Sequence, residues 1–152
     1  MYNKAKRILT GIFLSAMPFA SVTAQPAMPQ GYAYLGATEG SVCTEDKTRT
    51  INYKVDYAVV EPEMSVQGLD VEGFKKKYYA DITTRMQTAW ITVAGRYTAE
   101  QLKNDSLALY QIQIDVNKKQ RALAVSFKKE TGITLATKTA VVSVKQGCNI
   151  NL

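Results

Sequence analysis

The chain has no histidine, one tryptophan and two cysteines, Cys43 and Cys148. Without histidine, neither a Ser-His-Asp nor a Cys-His nucleophile can be assembled, and no imidazole base is available. Neither cysteine has another nearby, which excludes a Cys-x-x-Cys redox pair and leaves no zinc-ligand spacing. Gly-x-Ser-x-Gly, the Walker-type lysine loop and a Gly-x-Gly-x-x-Gly turn after a strand are all missing. Of the carboxylates, Glu61 and Glu63 flank Pro62 and read as solvated loop residues. Asp70 and Glu72 read as helix-start charges. No cofactor or metal is expected, and the chain is expected to bind rather than to catalyse.

Long apolar runs are scarce as well. The one near the start, Ile8 to Phe19, is preceded by Lys4, Lys6 and Arg7 and followed by the small residues Val22-Thr23-Ala24. This pattern predicts a signal peptide over residues 1–24, cleaved before Gln25; the competing reading is an uncleaved anchor, for which the run is short. No later run can span a bilayer, so any membrane association of the mature chain would not use a spanning helix. The full chain carries a net charge of +6, but Lys4, Lys6 and Arg7 supply half of it. The remaining excess gives no support to nucleic-acid binding. Export, to the periplasm or beyond, predicts that Cys43 and Cys148 pair, since two cysteines allow one connectivity. A loop of that length contributes up to about 4–5 kcal/mol in the chain-entropy description.

Residues 25–42 begin with QPAMPQG, an extended arm, and continue into a short edge strand around Tyr32, Tyr34 and Leu35. From Thr50, Ile51, Tyr53, Val55, Tyr57 and Val59 alternate with Asn52, Lys54, Asp56 and Ala58, a strand with one buried face. Glu61-Pro62-Glu63 ends it, and a loop leads to Asp70. Asp70 then caps a long helix whose apolar stripe is Val71, Phe74, Tyr78, Ile82, Met86, Ala89 and Val93. Trp90 flanks the stripe and reads as core in preference to a binding surface. Gly95 stops the helix, and Thr98 with Gln101 forms a capping box for another. Residues 109–116 fit either a strand or the start of a helix to about Glu130, with caps at Asn104, Asp105 or Ser106; length favours the helix. Gly132 ends it, and Ile133–Val144 reads as the last strand. The fold class is therefore α+β: an antiparallel sheet packed against one long helix plus a second helical segment, with a single disulfide, in a domain covering residues 43–152.

The candidates for partner contact are residues the folding pattern leaves unused: Pro26, Met28 and Pro29 in the arm, Met64 in the loop, and Lys75, Lys76 and Tyr79 on the wet helix face. The arm is the foremost, as an extended segment able to add to a sheet edge of a neighbouring subunit or partner. Its alternative is a tail left by signal cleavage.

The order of these segments resembles the second half of the band-7, or SPFH, domain of stomatins, prohibitins and flotillins. The matching stretches are Thr44-Glu45-Asp46, INYKVDYAVV, Glu61-Pro62, the helix end Gly95-Arg96-Tyr97-Thr98-Ala99-Glu100-Gln101-Leu102, and Gly132-Ile133 followed by TLATKTAVVSV. The chain departs from the family in several respects. Most of the preceding half-domain is missing, the segment from Leu102 to Gly132 is longer, and no coiled coil follows Val144. A cleavable leader and a disulfide are also foreign to it. The resemblance implies an exported scaffold or modulator that binds protein and forms a homo-oligomer. The alternative is a small disulfide-stapled inhibitor, immunity or host-interaction protein. The exported protein is expected to begin at Gln25 and to carry no free thiol. Intact-mass analysis after alkylation without reductant checks both; a retained Met1 or two alkylated cysteines would refute them.

Overall fold

The computed structural model describes residues 27–103 and 106–149, so the leader, Pro26 and the expected caps Asn104 and Asp105 lie outside it. Three twelve-residue strands, β1 (Tyr32–Cys43), β2 (Arg49–Val60) and β3 (Leu135–Gln146), form one antiparallel sheet in the order β1-β2-β3. The expected short edge strand thus runs for twelve residues, paired with β2 from Tyr32↔Val60 to Cys43↔Thr50. Alternation in YAYLGATEGSVC is hidden by its glycines and by a bulge between Tyr34 and Gly36. The bulge slips the side-chain phase by one residue, and a fixed period-two reading loses the strand there.

β2 is the centre. Ile51, Tyr53, Val55, Tyr57 and Val59 are at most 3 % exposed, as their alternation predicts. Beyond Val60 the chain does not form a loop but a short helix, α1 (Glu61–Val66), with Pro62 in its first turn. Proline ends the strand yet suits a helix start, where its missing N–H has no intrahelical acceptor. α1 carries Met64 into the core at 2 % exposure, which removes it from the partner-contact candidates.

The long helix is a continuous run of three parts: α2 (Val71–Phe74), a π-helical turn (Lys75–Tyr79) and α3 (Ala80–Ala94). Asp70 caps it, its Oδ1 accepting from Gly73 N at 2.7 Å. The wider π turn admits an extra residue, so Tyr78 and Tyr79 both lean inward and both are half-buried. Tyr78 packs on Phe74 and Phe127, while Tyr79 meets the edge of Tyr57 at 5.7 Å. Farther on, Ile82, Met86, Ala89, Trp90 and Ala94 are buried and Val93 only half so. The buried arc is rotated towards Trp90 because α3 packs against both β1 and the last helix.

After Gly95, the Thr98–Gln101 box opens α4 (Ala99–Lys103): Thr98 N donates to Gln101 Oε1 at 2.8 Å. α5 (Ser106–Thr131) follows, so residues 109–116 are helical. Its inner stripe is Ile112, Val116, Gln120 and Phe127. Gln120 is fully buried and neither of its amide atoms has a partner, a defect of about 1–3 kcal/mol in the middle of that stripe. Gly132, at φ +77°, turns the chain into β3. α3 and α5 lie together on one face of the sheet.

The closest packing is at Tyr53. Its ring stacks on Trp90 with centroids 4.4 Å apart and planes 8° from parallel. Opposite it, a Cβ on Gly40 would lie 2.4 Å from the same ring, so only glycine fits at that position of β1. Trp90 Nε1 donates to Thr139 Oγ1 at 2.8 Å, reaching β3. Cys43 and Cys148, with Cα atoms 5.6 Å apart, are bonded across the start of β2, tying the ends of both outer strands.

Ile82→Asp is expected to unfold the protein or cost about 4 kcal/mol or more by burying an unpaired charge, while Lys76→Ala should stay within about 0.5 kcal/mol. Gly40→Ala should cost about 1–3 kcal/mol by displacing the Tyr53 ring. Urea titrations that rank Lys76→Ala as the most damaging of the three would show the packing described here to be wrong.

Candidate functional site

With the helices on one face, the other face of the sheet is left open. An antiparallel sheet tolerates this when its outward residues are polar. The outward positions of β2 are Asn52, Lys54, Asp56 and Ala58, and the side chains around them are tied across the strands. Tyr34 Oη donates to Asp56 Oδ1 at 2.9 Å, and Lys54 Nζ lies 3.7 Å from the same carboxylate. Burial, and then the bond to Asp56, push the Tyr34 phenol up to about 12. Ser41 Oγ donates to Asn52 Oδ1 at 2.6 Å, and Asn52 Nδ2 to Ser143 Oγ at 2.8 Å. These ties make the face a fixed polar surface.

At the Tyr34 end the surface changes character. The arm turns back over the sheet, with Tyr32 N donating to Pro29 O at 3.2 Å and Glu61 N to Gly31 O at 2.9 Å. Gly31 takes φ +87°, a conformation that glycine adopts without penalty. Met28, Pro29 and Tyr32 wall a shallow cleft of about 220 Å³, whose other lining includes Ala58, Ala136 and Lys138. Ala58 is only 3 % exposed although it points away from the helices.

The partner-contact candidates are therefore divided. Met28 and Pro29 line the cleft, Pro26 lies outside the described residues, and Met64 is core. Lys75, Lys76 and Tyr79 sit in the helical layer. Lys75 is 3.8 Å from Glu72 and 5.8 Å above the Tyr79 ring; Lys76 is exposed; Tyr79 is half-buried, its phenol pushed up by that burial.

Two carboxylates do more than the sequence suggests. Asp46, in the β1–β2 turn, accepts from Thr44 Oγ1 at 2.6 Å, Thr48 Oγ1 at 2.9 Å and Ala99 N at 2.9 Å. The Thr44 hydroxyl and the Ala99 N–H hold its carboxyl well below the usual range. Glu63, read as solvated, pairs instead with Lys128 and accepts from Thr134 N at 2.6 Å. Lys128 first, and then the Thr134 N–H, lower its pKa. It joins α1, α5 and the start of β3. Thr-Glu-Asp-Lys-Thr between two strands is a turn signature that could have singled out Asp46 but was not used; no local signal marks Glu63, whose partners are far along the chain.

Arg85 bridges α3 and α5, bonding Asp81 at 3.0 Å and Glu130 through both guanidinium ends at 3.0–3.1 Å. Among the described residues, no group of three or more Cys, Asp or Glu could hold a metal ion, and no helix is long and apolar enough to cross a membrane. Comparison with protein-family models, with curated proteins and with solved structures finds no match.

Both carboxylates have lower pKa values folded than unfolded. Their stabilisation is present above about pH 4 and is lost as the pH falls through the folded values. The double variant Asp46→Asn, Glu63→Gln should therefore melt lower than the parent at pH 7, with the gap narrowing progressively as the pH is lowered below about 4. Melting followed by circular dichroism tests this; an unchanged gap between the two proteins at pH 3 would contradict it.

Proposed function

We propose that the chain is an exported, non-enzymatic protein-binding module whose contact surface is the open face of the sheet together with the Met28–Pro29 arm. The observation that carries this is the one-sided architecture. α3 and α5 pack on one face, while the other presents a cross-linked polar surface ending in an apolar cleft. An apolar pocket set in a fixed polar surround is the usual anatomy of a protein contact: an anchor site within a rim. Several of the carboxylates that could do acid–base chemistry are engaged in holding the fold. Asp46 and Glu63 pin loops and helix ends, Asp70 caps a helix, and Asp81 and Glu130 hold Arg85. The disulfide supports an oxidising location, in the periplasm or outside the cell.

The band-7-like form of this proposal, a scaffold or modulator that also self-associates, draws support from the element order. A strand, a helix ending at Gly95, a short capped helix, a longer one, Gly132-Ile133 and a last strand follow the sequence of parts on which the resemblance rests.

The test is photocrosslinking in the native envelope from exposed outward positions, Ala37 and Ala140, with Lys76 on the helical layer as control. Discrete protein adducts are expected from the sheet positions and not from Lys76, weakened several-fold by deleting residues 26–30. Adducts only to copies of the chain itself would identify the module as a self-assembling scaffold. Equal labelling from all three positions, insensitive to the deletion, would overturn the assignment of the face.

A further inference from the structure

We propose that the free edge of β3 receives an extended acidic segment of a partner protein as a fourth strand, with a carboxylate beside Lys138 and an apolar side chain in the Met28–Pro29 cleft. This rests on the protein-binding reading above and specifies its partner.

Both outer strands are edges, but they differ as templates. β1 contains Gly36 and Gly40 and is interrupted at Leu35 by its bulge, with Gly36 at φ +121°. β3 has neither glycine nor proline, and Thr137, Thr139, Val141, Val142 and Val144 give it strong strand character. Its own bulge falls at Val142, which leaves Leu135–Val141 as a continuous run of edge. Among the described residues, no backbone hydrogen bond from a helix or loop reaches β3 between Ala136 and Gln146. Unpaired N–H and C=O groups along such an edge are what an added strand bonds to.

Charge selects the occupant. β3 carries Lys138 and Lys145 and no acidic residue; both lysines are exposed. Lys138 stands opposite Asp56 across the strands, but that carboxylate is already held by Tyr34 and Lys54. Among the described residues, neither lysine takes part in an ion pair. A second β3 would set lysine among lysines. The β1 strand of another copy offers one carboxylate, Glu39, on an interrupted edge. The arm QPAMPQG has no acidic residue and two prolines that cannot donate to a ladder, so the strand donor expected from the sequence is better described as a wall of the cleft. The chemistry that remains is an acidic extended segment of a different protein.

The cleft adds a spacing rule. Ala136 and Lys138 are both outward on β3, and both line the cleft. Side chains of an added strand alternate between faces, so the carboxylate and the apolar anchor should be two residues apart in the partner. A volume of about 220 Å³ takes one large apolar side chain.

The probe is a fluorescein-labelled decapeptide, Thr-Glu-Thr-Leu-Thr-Glu-Thr-Leu-Thr-Glu, titrated against the full mature protein. Saturable binding is expected, weakened by salt and by about tenfold in K138E at low ionic strength, with a smaller loss in Lys138→Gln. Peptides N-methylated on alternate amides in the two phases should separate, one binding and one not, because only one set of N–H groups faces the edge. Amides in residues 135–141 should gain exchange protection. Equal binding by the lysine-for-glutamate peptide, indifference to both methylation phases, or protection on β1 instead would overturn the proposal. If the decapeptide does not bind but the sheet-face crosslinks persist, the edge assignment falls and the binding-module reading stands. If neither is seen, both fall.

Discussion

The central strand must be covered on one side and paired on both edges, and most of the molecule follows from meeting that requirement. β2 buries five alternate side chains almost completely, which on area grounds stabilises the fold by roughly 1.5–3 kcal/mol apiece. Its largest inward ring, Tyr53, needs a flat neighbour below and empty space beside it. Trp90 supplies the first by stacking, and Gly40 supplies the second. Because Trp90 also donates to Thr139, one cluster joins β1, β2, β3 and α3. Loss of the ring stack would loosen the helical layer and both sheet edges together.

Polar interactions act at the corners of the structure. Asp46 fixes the β1–β2 turn to the start of α4, Glu63 fixes α1 to α5 and β3, and Arg85 fixes α3 to α5. Ion pairs this exposed contribute little stability singly. Their effect is positional: each joins elements that are adjacent in space and remote in sequence. The disulfide does the same at the open end of the sheet, joining β1 to the segment after β3 over the start of β2. The buried amide of Gln120 runs against this economy, as a core position filled by a polar group without a bond.

Confining the helices to one face leaves the opposite face open for the proposed contact. Tyr34–Asp56–Lys54 and Ser41–Asn52–Ser143 tie the side chains of that surface together, which would lower the ordering cost of the proposed contact on this side. The arm closes one end of that surface and converts part of it into a cleft. Lys138 beside the cleft, and the continuous edge Leu135–Val141 on which it stands, give the proposed contact its direction.

Local patterns in the sequence determined the strand at 51–59, the Asp70 and Thr98 caps, the stops at Gly95 and Gly132, the helical reading of 109–116 and the Cys43–Cys148 pairing. Each depends on neighbours within a few residues, or, for the cysteines, on there being only two. The tertiary structure decided the rest. Leu35 and Val142 sit at bulges that shift the side-chain phase, so period-two counting fails across β1 and β3. The π turn has no signature in KKKYY, and it brings both Tyr78 and Tyr79 inward because the sheet and α5 each offer a ring to pack on. Met64 and Glu63 looked like surface residues of a loop. Their burial and pairing depend on where α5 and β3 pass, more than sixty residues later. The open face and its cleft are tertiary for the same reason: which side of a sheet remains uncovered depends on helices that the strand itself does not encode.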